Sequence, residues 1–143
     1  MEELEGVVRG LNHVAIVVEK IADAQKSYEA LGLTAGELEH IADQQVNVLV
    51  MSAGPQRIEL VEPASENSPV SKFLARRGGG LHHLAYDVDD LEMALAHLRV
   101  EGFRLIDEAP RSGAHGTRIA FLHPNSTGGV LTELVEDPER EQE

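Results

Sequence analysis

The sequence predicts an α+β fold built from two repeated β-α-β-β-β modules. The first observation is an internal repeat, because the apolar, histidine-containing segments 11–18 and 81–88 are near copies at an offset of seventy residues. The same offset aligns the helical patterns that follow and the glycines that end them, Gly32 and Gly102. The third observation is length, since seventy residues alone bury little apolar surface. We therefore expect one domain over 1–143 whose halves share a core.

The first module, about residues 9–63, is predicted from its periodicity. Residues 11–18 form a β-type run, and apolar residues at spacings of three and four predict a helix over about 21–31. Three further strands are then expected at 33–41, 45–51 and 57–61.

A linker and the second module complete the chain. Residues 64–80 contain Ser68-Pro69, which is typical of a helix start with proline at its first position. The second module, about 81–136, repeats the order of the first with a strand and a helix from Leu91. Its remaining strands are predicted near 103–107, 117–122 and 129–135.

Composition excludes several functions. The formal net charge is −13, which argues against nucleic acid or an anionic membrane as a non-specific partner. The chain has no cysteine, so any metal site must use histidine and carboxylate ligands. The acidic start, residues 1–5, leads into no long apolar run, so neither a secretory signal nor a membrane span is expected. A cytoplasmic protein, or an organelle-matrix protein whose targeting segment has been removed, is the default expectation.

Two histidines and two glutamates occupy equivalent positions in the repeat. His13 and His83 lie in the first strand of each module, while Glu59 and Glu133 are central in the last strand of each. A charged residue in an apolar strand is costly unless it is paired or bound to metal, and imidazole with carboxylate suits a divalent ion. The alternative is that the glutamates face solvent and the histidines pack in the core. The symmetry of the set favours a metal site.

Several motifs resemble the vicinal oxygen chelate superfamily, and within it the methylmalonyl-CoA epimerases. The resemblance spans about residues 9–136. The superfamily is indicated by Leu11-Asn12-His13-Val14-Ala15 and Ile58-Glu59-Leu60, and the epimerases by the double histidine of Gly80-Leu81-His82-His83, the Gly113-Ala114-His115-Gly116 loop and the Phe121-Leu122-His123-Pro124 turn. The resemblance implies a curled, cup-like mixed sheet around a divalent metal.

The family pattern also implies a ligand set and a reaction. It implies that His13, Glu59, His83 and Glu133 bind the metal, with Co²⁺ expected and Zn²⁺, Ni²⁺, Mn²⁺ or Mg²⁺ as alternatives. The implied reaction interconverts (R)- and (S)-methylmalonyl-CoA by 1,1-proton transfer through a metal-stabilised enolate. His82 is expected on the opposite face of its strand, outside the metal site.

Two catalytic bases are expected, one on each face of the substrate carbon. Glu133 is the first, because the family uses the matching glutamate as both ligand and acid/base. Some relatives place the second on the strand that here carries Val48, which cannot move protons, and these relatives tend to have glutamine where this chain has Glu59. We therefore expect Glu59 to be the second base.

The remaining candidate residues are less specific. The Gly113–Gly116 loop is either an ordinary loop or a lid whose backbone N–H groups bind the substrate carboxylate. His123 is expected in a turn, and His40 and His97 at the surface. The phosphates of CoA require a local basic cluster, for which the candidates are Lys72, Arg76, Arg77, Arg104 and Arg111.

Two other functions and the assembly remain open from the sequence. A glyoxalase I-like lactoylglutathione lyase uses a similar ligand set, and a non-catalytic small-molecule-binding protein of the same fold would lack the metal. The expected partner is an acyl-CoA thioester, not nucleic acid or membrane. We expect a homodimer formed through outer strands, with each chain closing its own site.

Overall fold

The computed structural model describes residues 7–139, so the acidic start at 1–5 and the end of the chain lie outside the described part. The helices are α1 (Ile21–Ala30), α2 (Pro69–Arg77) and α3 (Leu91–Val100). The strands are β1 (Val8–Val17), β2 (Thr34–Ile41), β3 (Val46–Ala53), β4 (Gln56–Pro63), β5 (Gly80–Val88), β6 (Arg111–Ser112), β7 (Arg118–Leu122) and β8 (Thr132–Glu136). None of the described helices is long and apolar enough to cross a membrane.

The order of the strands confirms the predicted fold class. Residues 13–83 form one compact unit, whose strands lie in the order β2-β3-β4-β1, and residues 84–139 with 7–12 form a second, with the order β5-β8-β7-β6. In each unit the first strand of the module runs parallel to the last, β1 with β4 and β5 with β8, while the other pairs are antiparallel. The chain is therefore α+β, with two β-α-β-β-β modules and mixed strand pairing.

One face of the 13–83 unit is covered by α1. Ile21 of α1 packs with Leu49, Met51 and Leu60, all buried, because successive side chains of β3 and β4 alternate between the two faces. The opposite face of β1 carries His13, Ala15 and Val17. Parallel register places Ala15 beside Glu59, so this glutamate projects on the face away from α1.

The second unit repeats this division between faces. Leu91 and Leu95 of α3 are buried against Leu134 of β8 and its neighbours on β7. The opposite face carries Ala85 and Val135, which pack with Ile119. Glu59 and Glu133 therefore lie on equivalent faces of the two modules, each opposite the face that the helix of its module covers.

Helix α2 has the signals that the sequence predicts. The Ser68 side chain accepts a hydrogen bond from the Val70 N–H at 3.4 Å, and Pro69 takes the first turn. The helix ends at Gly78, whose left-handed backbone lets its N–H reach the Leu74 carbonyl at 2.7 Å. A Cβ on Gly79 would lie 2.9 Å from the Val17 carbonyl oxygen, so the chain passes close to β1 only because glycine stands there.

One predicted strand, near 103–107, is wrong. Only an isolated bridge between Leu105 and Leu122 forms there, although the Ile106 N–H still bonds the Phe121 carbonyl at 2.9 Å. The physical reason is that the Asp107 carboxylate accepts the Phe121 N–H at 2.9 Å, which takes the donor that a continuing ladder needs. The two-residue strand β6 replaces it further along the chain.

The other element predictions are confirmed with small shifts in their ends. The strand predicted at 129–135 begins at Thr132 and ends at Glu136, because Gly128 and Gly129 both have positive φ. The predicted helices at about 21–31 and from Leu91 agree with α1 and α3. Periodicity therefore located both modules to within a few residues.

Candidate metal site

The two predicted histidine ligands lie side by side. His13 on β1 and His83 on β5 are both buried, with 5% and 8% of their surface exposed. Their Nε2 atoms are 3.4 Å apart, and the rings meet edge to face with centroids separated by 5.4 Å. This separation is long for an N–H···N hydrogen bond. Two imidazole nitrogens therefore converge without forming a good bond to each other.

Glu59 joins this pair. Its Oε1 lies 3.3 Å from His13 Nε2, and 13% of its side chain is exposed. The position follows from register, because Glu59 is paired with Ala15, two residues along β1 from His13. Side chains two apart on a strand share a face, so the histidine and the carboxylate project to the same side.

The distances of His83 and Glu59 from His13 Nε2 fit a metal ion. Ligand atoms about 2.1 Å from one ion lie about 3.0–3.4 Å apart when their bonds subtend about 90–109°. The distances of 3.4 Å and 3.3 Å fall at the upper end of that range. Imidazole and carboxylate donors without a thiolate suit a divalent ion. The buried residues His13 and His83, together with Glu59, could hold such an ion.

Glu133, the fourth predicted ligand, is buried in β8 with 5% of its surface exposed. It is in register with Ala85 of β5, as Glu59 is with Ala15 of β1. Its antiparallel neighbour on β7 is Phe121. A buried carboxylate requires a compensating partner. Its membership of the metal site stays a prediction.

His82 makes a contact that the sequence reasoning missed. Strand alternation indicates the opposite face, yet its Nδ1 lies 2.8 Å from Nδ1 of His83. The His82 ring also meets Phe73 of α2 edge to face at 5.0 Å. Phe73 in turn lies 5.5 Å beneath the Arg77 guanidinium. His82 and His83 are therefore hydrogen-bonded to each other. The alternation of side chains along a strand could not predict this contact, because it does not specify side-chain torsion angles.

A second carboxylate in each last strand holds a helix. Glu62 accepts the Ile21 N–H at the start of α1 at 2.7 Å, and Glu136 accepts the Leu91 N–H at the start of α3 at 3.1 Å. Each lies three residues after the predicted ligand glutamate. The Arg118 hydrogen bond to Glu136 raises the pKa of Arg118. The signal that could have found this pair is their equal spacing from Glu59 and Glu133.

The Gly113–Gly116 loop is tightly specified. A Cβ on Gly113 would lie 2.6 Å from both Ile119 and Thr117, and His115 has a left-handed φ of 58°. Thr117 closes the loop by donating its hydroxyl to the Ala114 carbonyl at 2.7 Å. A non-glycine residue in this conformation is uncommon and is found preferentially at functional loops. The exposed His115 side chain is therefore presented by a constrained loop.

The other histidines lie where the sequence predicts. His40 and His97 are exposed. His123 begins a short 3₁₀ turn and accepts the Asn125 N–H on its Nδ1 at 3.0 Å. Val48 is buried in β3 and is paired with Val61, two residues from Glu59 on the same face. The position at which some relatives carry a base is thus an apolar neighbour of Glu59.

The candidate CoA-binding cations divide into two groups. Lys72, Arg76 and Arg77 are all exposed on α2, which has no acidic residue in its first turn. Arg104 is exposed in the other unit, while Arg111 is 3.4 Å from the Asp107 carboxylate. The three cations of α2 are therefore the only candidates that share an element of the described chain.

Comparison with known proteins gives first a class of protein. The family described as Glyoxalase/Bleomycin resistance protein/Dioxygenase superfamily matches residues 12–121, and the chain is 44% identical over 127 residues to YqjC of Bacillus subtilis, an uncharacterized protein, covering 88% of this chain and 91% of that one. The crystal structure of methylmalonyl-CoA epimerase from Mycobacterium tuberculosis is 36% identical, with a TM-score of 0.90 and coverage of 99% and 97%.

A third relative adds a ligand. A methylmalonyl-CoA epimerase solved in complex with methylmalonyl-CoA and NH₄⁺ is 33% identical, with a TM-score of 0.87, and the match covers 92% of this chain and 96% of that one. The chain belongs to the methylmalonyl-CoA epimerase family of this superfamily. The predicted resemblance is confirmed.

Proposed function

We propose that this protein is a metal-dependent epimerase that interconverts the (R) and (S) forms of methylmalonyl-CoA by 1,1-proton transfer. The observation that carries the proposal is the convergence of His13, His83 and Glu59 on one side of the strands. It occurs in a chain whose relatives are named for this reaction, one of them solved with methylmalonyl-CoA bound. Family membership supplies the substrate class, and the three side chains supply the chemistry.

The proposed ligands are His13, Glu59, His83 and Glu133. His83 and Glu59 are supported by their distances from His13 Nε2, and Glu133 by its equivalence to Glu59 in the repeat and in strand register. We propose Co²⁺ as the metal, with Zn²⁺, Ni²⁺, Mn²⁺ or Mg²⁺ as alternatives. When bound, a divalent ion supplies Lewis-acid stabilisation of the negative charge that develops on the thioester oxygen.

The two glutamates are the proposed acid/base pair. One carboxylate takes the proton from the carbon between the thioester and the carboxylate, and the other returns a proton to the opposite face, which inverts the centre. Glu133 is proposed for one role because it is buried in β8 at the register position equivalent to that of Glu59 in β4. Glu59 is proposed for the other, since Val48 beside it offers no proton.

Two further parts of the chain are proposed to bind the substrate. The Gly113 N–H already donates to the Thr117 carbonyl at 3.0 Å, so the other backbone N–H groups of the Gly113–Gly116 loop would hold the free carboxylate of the substrate, as expected of a constrained glycine-rich turn. The exposed cations of α2, Lys72, Arg76 and Arg77, would face the phosphates of CoA in a protein whose net charge is −13. Both assignments concern substrate binding and leave the proposed reaction unchanged.

The direct test is proton exchange at C2 of methylmalonyl-CoA in deuterated buffer. Metal-loaded protein is expected to catalyse incorporation of deuterium together with interconversion of the two stereoisomers, which a stereospecific coupled assay follows. A matched reaction with succinyl-CoA, which lacks the doubly activated carbon, controls for general base catalysis. Absence of exchange by fully metal-loaded, folded protein would overturn the proposal.

Two outcomes would replace it with a different function. Isomerisation of a glutathione hemithioacetal without exchange on methylmalonyl-CoA would identify a glyoxalase I-like lyase. Protein that is metal-free when purified without chelator and indifferent to added metal would favour a small-molecule-binding protein. The homodimer, formed through outer strands, and the cytoplasmic location are also proposals. Light scattering of the purified protein tests the first.

A further inference from the structure

The hydrogen bond between His82 and His83 constrains the protonation of both rings. The Nδ1 atoms of His82 and His83 are 2.8 Å apart, which is a good hydrogen-bond distance. A neutral imidazole carries one proton on one of its two nitrogens. A bond between two Nδ1 atoms therefore requires that one of them carries the proton and that the other presents its lone pair.

The two possible arrangements differ at the other end of the His83 ring. If His83 donates from Nδ1, its Nε2 bears a lone pair that faces His13 Nε2, 3.4 Å away. If His83 accepts on Nδ1, the proton sits on Nε2 and points into the space between the two rings. Only the first arrangement leaves His83 Nε2 able to bind a metal, because a ligand nitrogen must be deprotonated.

We propose that His82 is a positioning residue that accepts the Nδ1–H of His83 and so fixes the tautomer in which His83 Nε2 is a ligand atom. The assignment rests on the proposed metal site. Ligand histidines usually donate their other N–H to a carboxylate, carbonyl or water, and here the acceptor is a second imidazole from the adjacent residue.

Packing keeps the acceptor in place. The His82 ring meets Phe73 edge to face at 5.0 Å, and Phe73 is covered by the Arg77 guanidinium at 5.5 Å. Both contacts come from α2, which is anchored by its Ser68 cap and by Gly78. The helix between the two modules thus orients a ligand histidine through His82, without contributing a ligand of its own.

The first test needs no metal. Long-range ¹⁵N–¹H correlation spectra of the metal-free protein, at a pH where its imidazoles are neutral, report which nitrogen of each ring is protonated. His83 is expected as the Nδ1–H tautomer and His82 as the Nε2–H tautomer. The reverse pair of tautomers would overturn the proposal. Because no metal is present, this result is independent of whether the protein is an epimerase.

The second test uses two substitutions that separate the hydrogen bond from the packing. His82→Asn keeps an acceptor, since Oδ1 occupies the place of Nδ1, but loses the ring; His82→Phe keeps the ring against Phe73 and loses the acceptor. Co²⁺ affinity, measured by calorimetry and by the visible absorption of the bound ion, is expected to fall about 10–100-fold in His82→Phe and to stay within about threefold in His82→Asn.

The outcomes are distinguishable from failure of the proposed function. Wild-type affinity in folded His82→Phe, or a larger loss in His82→Asn than in His82→Phe, would show that His82 acts by packing and would overturn the proposal. If the wild-type protein binds no divalent ion but shows the expected tautomers, the proposed metal site is wrong. The assignment of His82 as the residue that fixes the tautomer of His83 then still holds. Thermal denaturation of both variants confirms that they are folded.

Discussion

Glu59 is the residue whose substitution tests the proposed mechanism most directly. It lies 3.3 Å from His13 Nε2, and its neighbour at the position of a base in some relatives is Val48. If the second carboxylate has moved to Glu59, one side chain must both bind metal and carry a proton. Glutamine retains an oxygen ligand in the same place but cannot exchange a proton.

Glu59→Gln is therefore expected to keep part of the metal binding and to lower the epimerisation rate about 10²–10⁴-fold, the usual size of a general acid/base contribution. The rate is measured by deuterium exchange at C2 at saturating metal. Glu66→Gln, at an exposed position between the modules, controls for the change in charge. Near-normal turnover in Glu59→Gln would show that the second base lies elsewhere.

At the scale of elements, a carboxylate from each last strand anchors the helix of its own module. Helix α1 has Lys20 at its N-cap and no side-chain cap, so Glu62 supplies the acceptor by bonding the Ile21 N–H. Glu62 also accepts from Asn47 of β3 at 2.9 Å. Helix α3 differs, because Asp90 caps it through the Met93 N–H in addition to Glu136.

Glu62→Ala is expected to lower the free energy of unfolding by about 1–2 kcal/mol, because the first N–H of α1 and the Asn47 amide lose a charged acceptor. Urea denaturation followed by circular dichroism measures the change. Glu66→Ala removes the same charge from an exposed loop and is expected to change stability by less than about 0.5 kcal/mol. Equal effects of the two substitutions would mean that the anchor to α1 contributes nothing.

At the scale of the molecule, three of the proposed ligands, His13, Glu59 and His83, lie on strands far apart in the chain, β1, β4 and β5. Their spacing exists only in the folded state, so a metal that binds there stabilises folding by mass action. A free metal concentration about 100 times Kd contributes about 2.7 kcal/mol, which for a chain of this size raises Tm by about 5–10 °C.

Added Co²⁺ is expected to raise Tm by that amount, and a chelator is expected to reverse the change. His13→Ala should abolish the shift, because it removes the proposed ligand whose Nε2 lies 3.4 Å from His83 and 3.3 Å from Glu59. His97→Ala, an exposed position on α3, serves as the matched control and should retain it. A shift of equal size in His13→Ala would place the metal at some other site.

Much of the fold could be predicted because the evidence for it is local or repeated. Periodicity marked α1 and α3, Ser68 and Pro69 marked α2, and the repeat predicted that His13 and His83 are equivalent. The strand predicted near 103–107 does not form because the side chain of Asp107 accepts the N–H of Phe121, which lies fourteen residues further along the chain. The hydrophobic pattern of a sequence indicates which segments favour a β-strand. It does not show where a side chain will take a backbone N–H that the strand ladder would otherwise use.

By itself, the sequence predicted the order of helices and strands in the two modules, the equivalence of the histidines and glutamates proposed as ligands, and the family, since each depends on spacing along the chain. Only the tertiary structure decided that Glu59 lies against His13, that Glu62 and Glu136 hold the helices, and that His82 bonds His83. These contacts depend on strand register and on side-chain rotation. The alternation of side chains along a strand shows on which face each Cβ lies. The hydrogen-bond partner of a polar side chain depends in addition on the residues that pack around it in the folded chain.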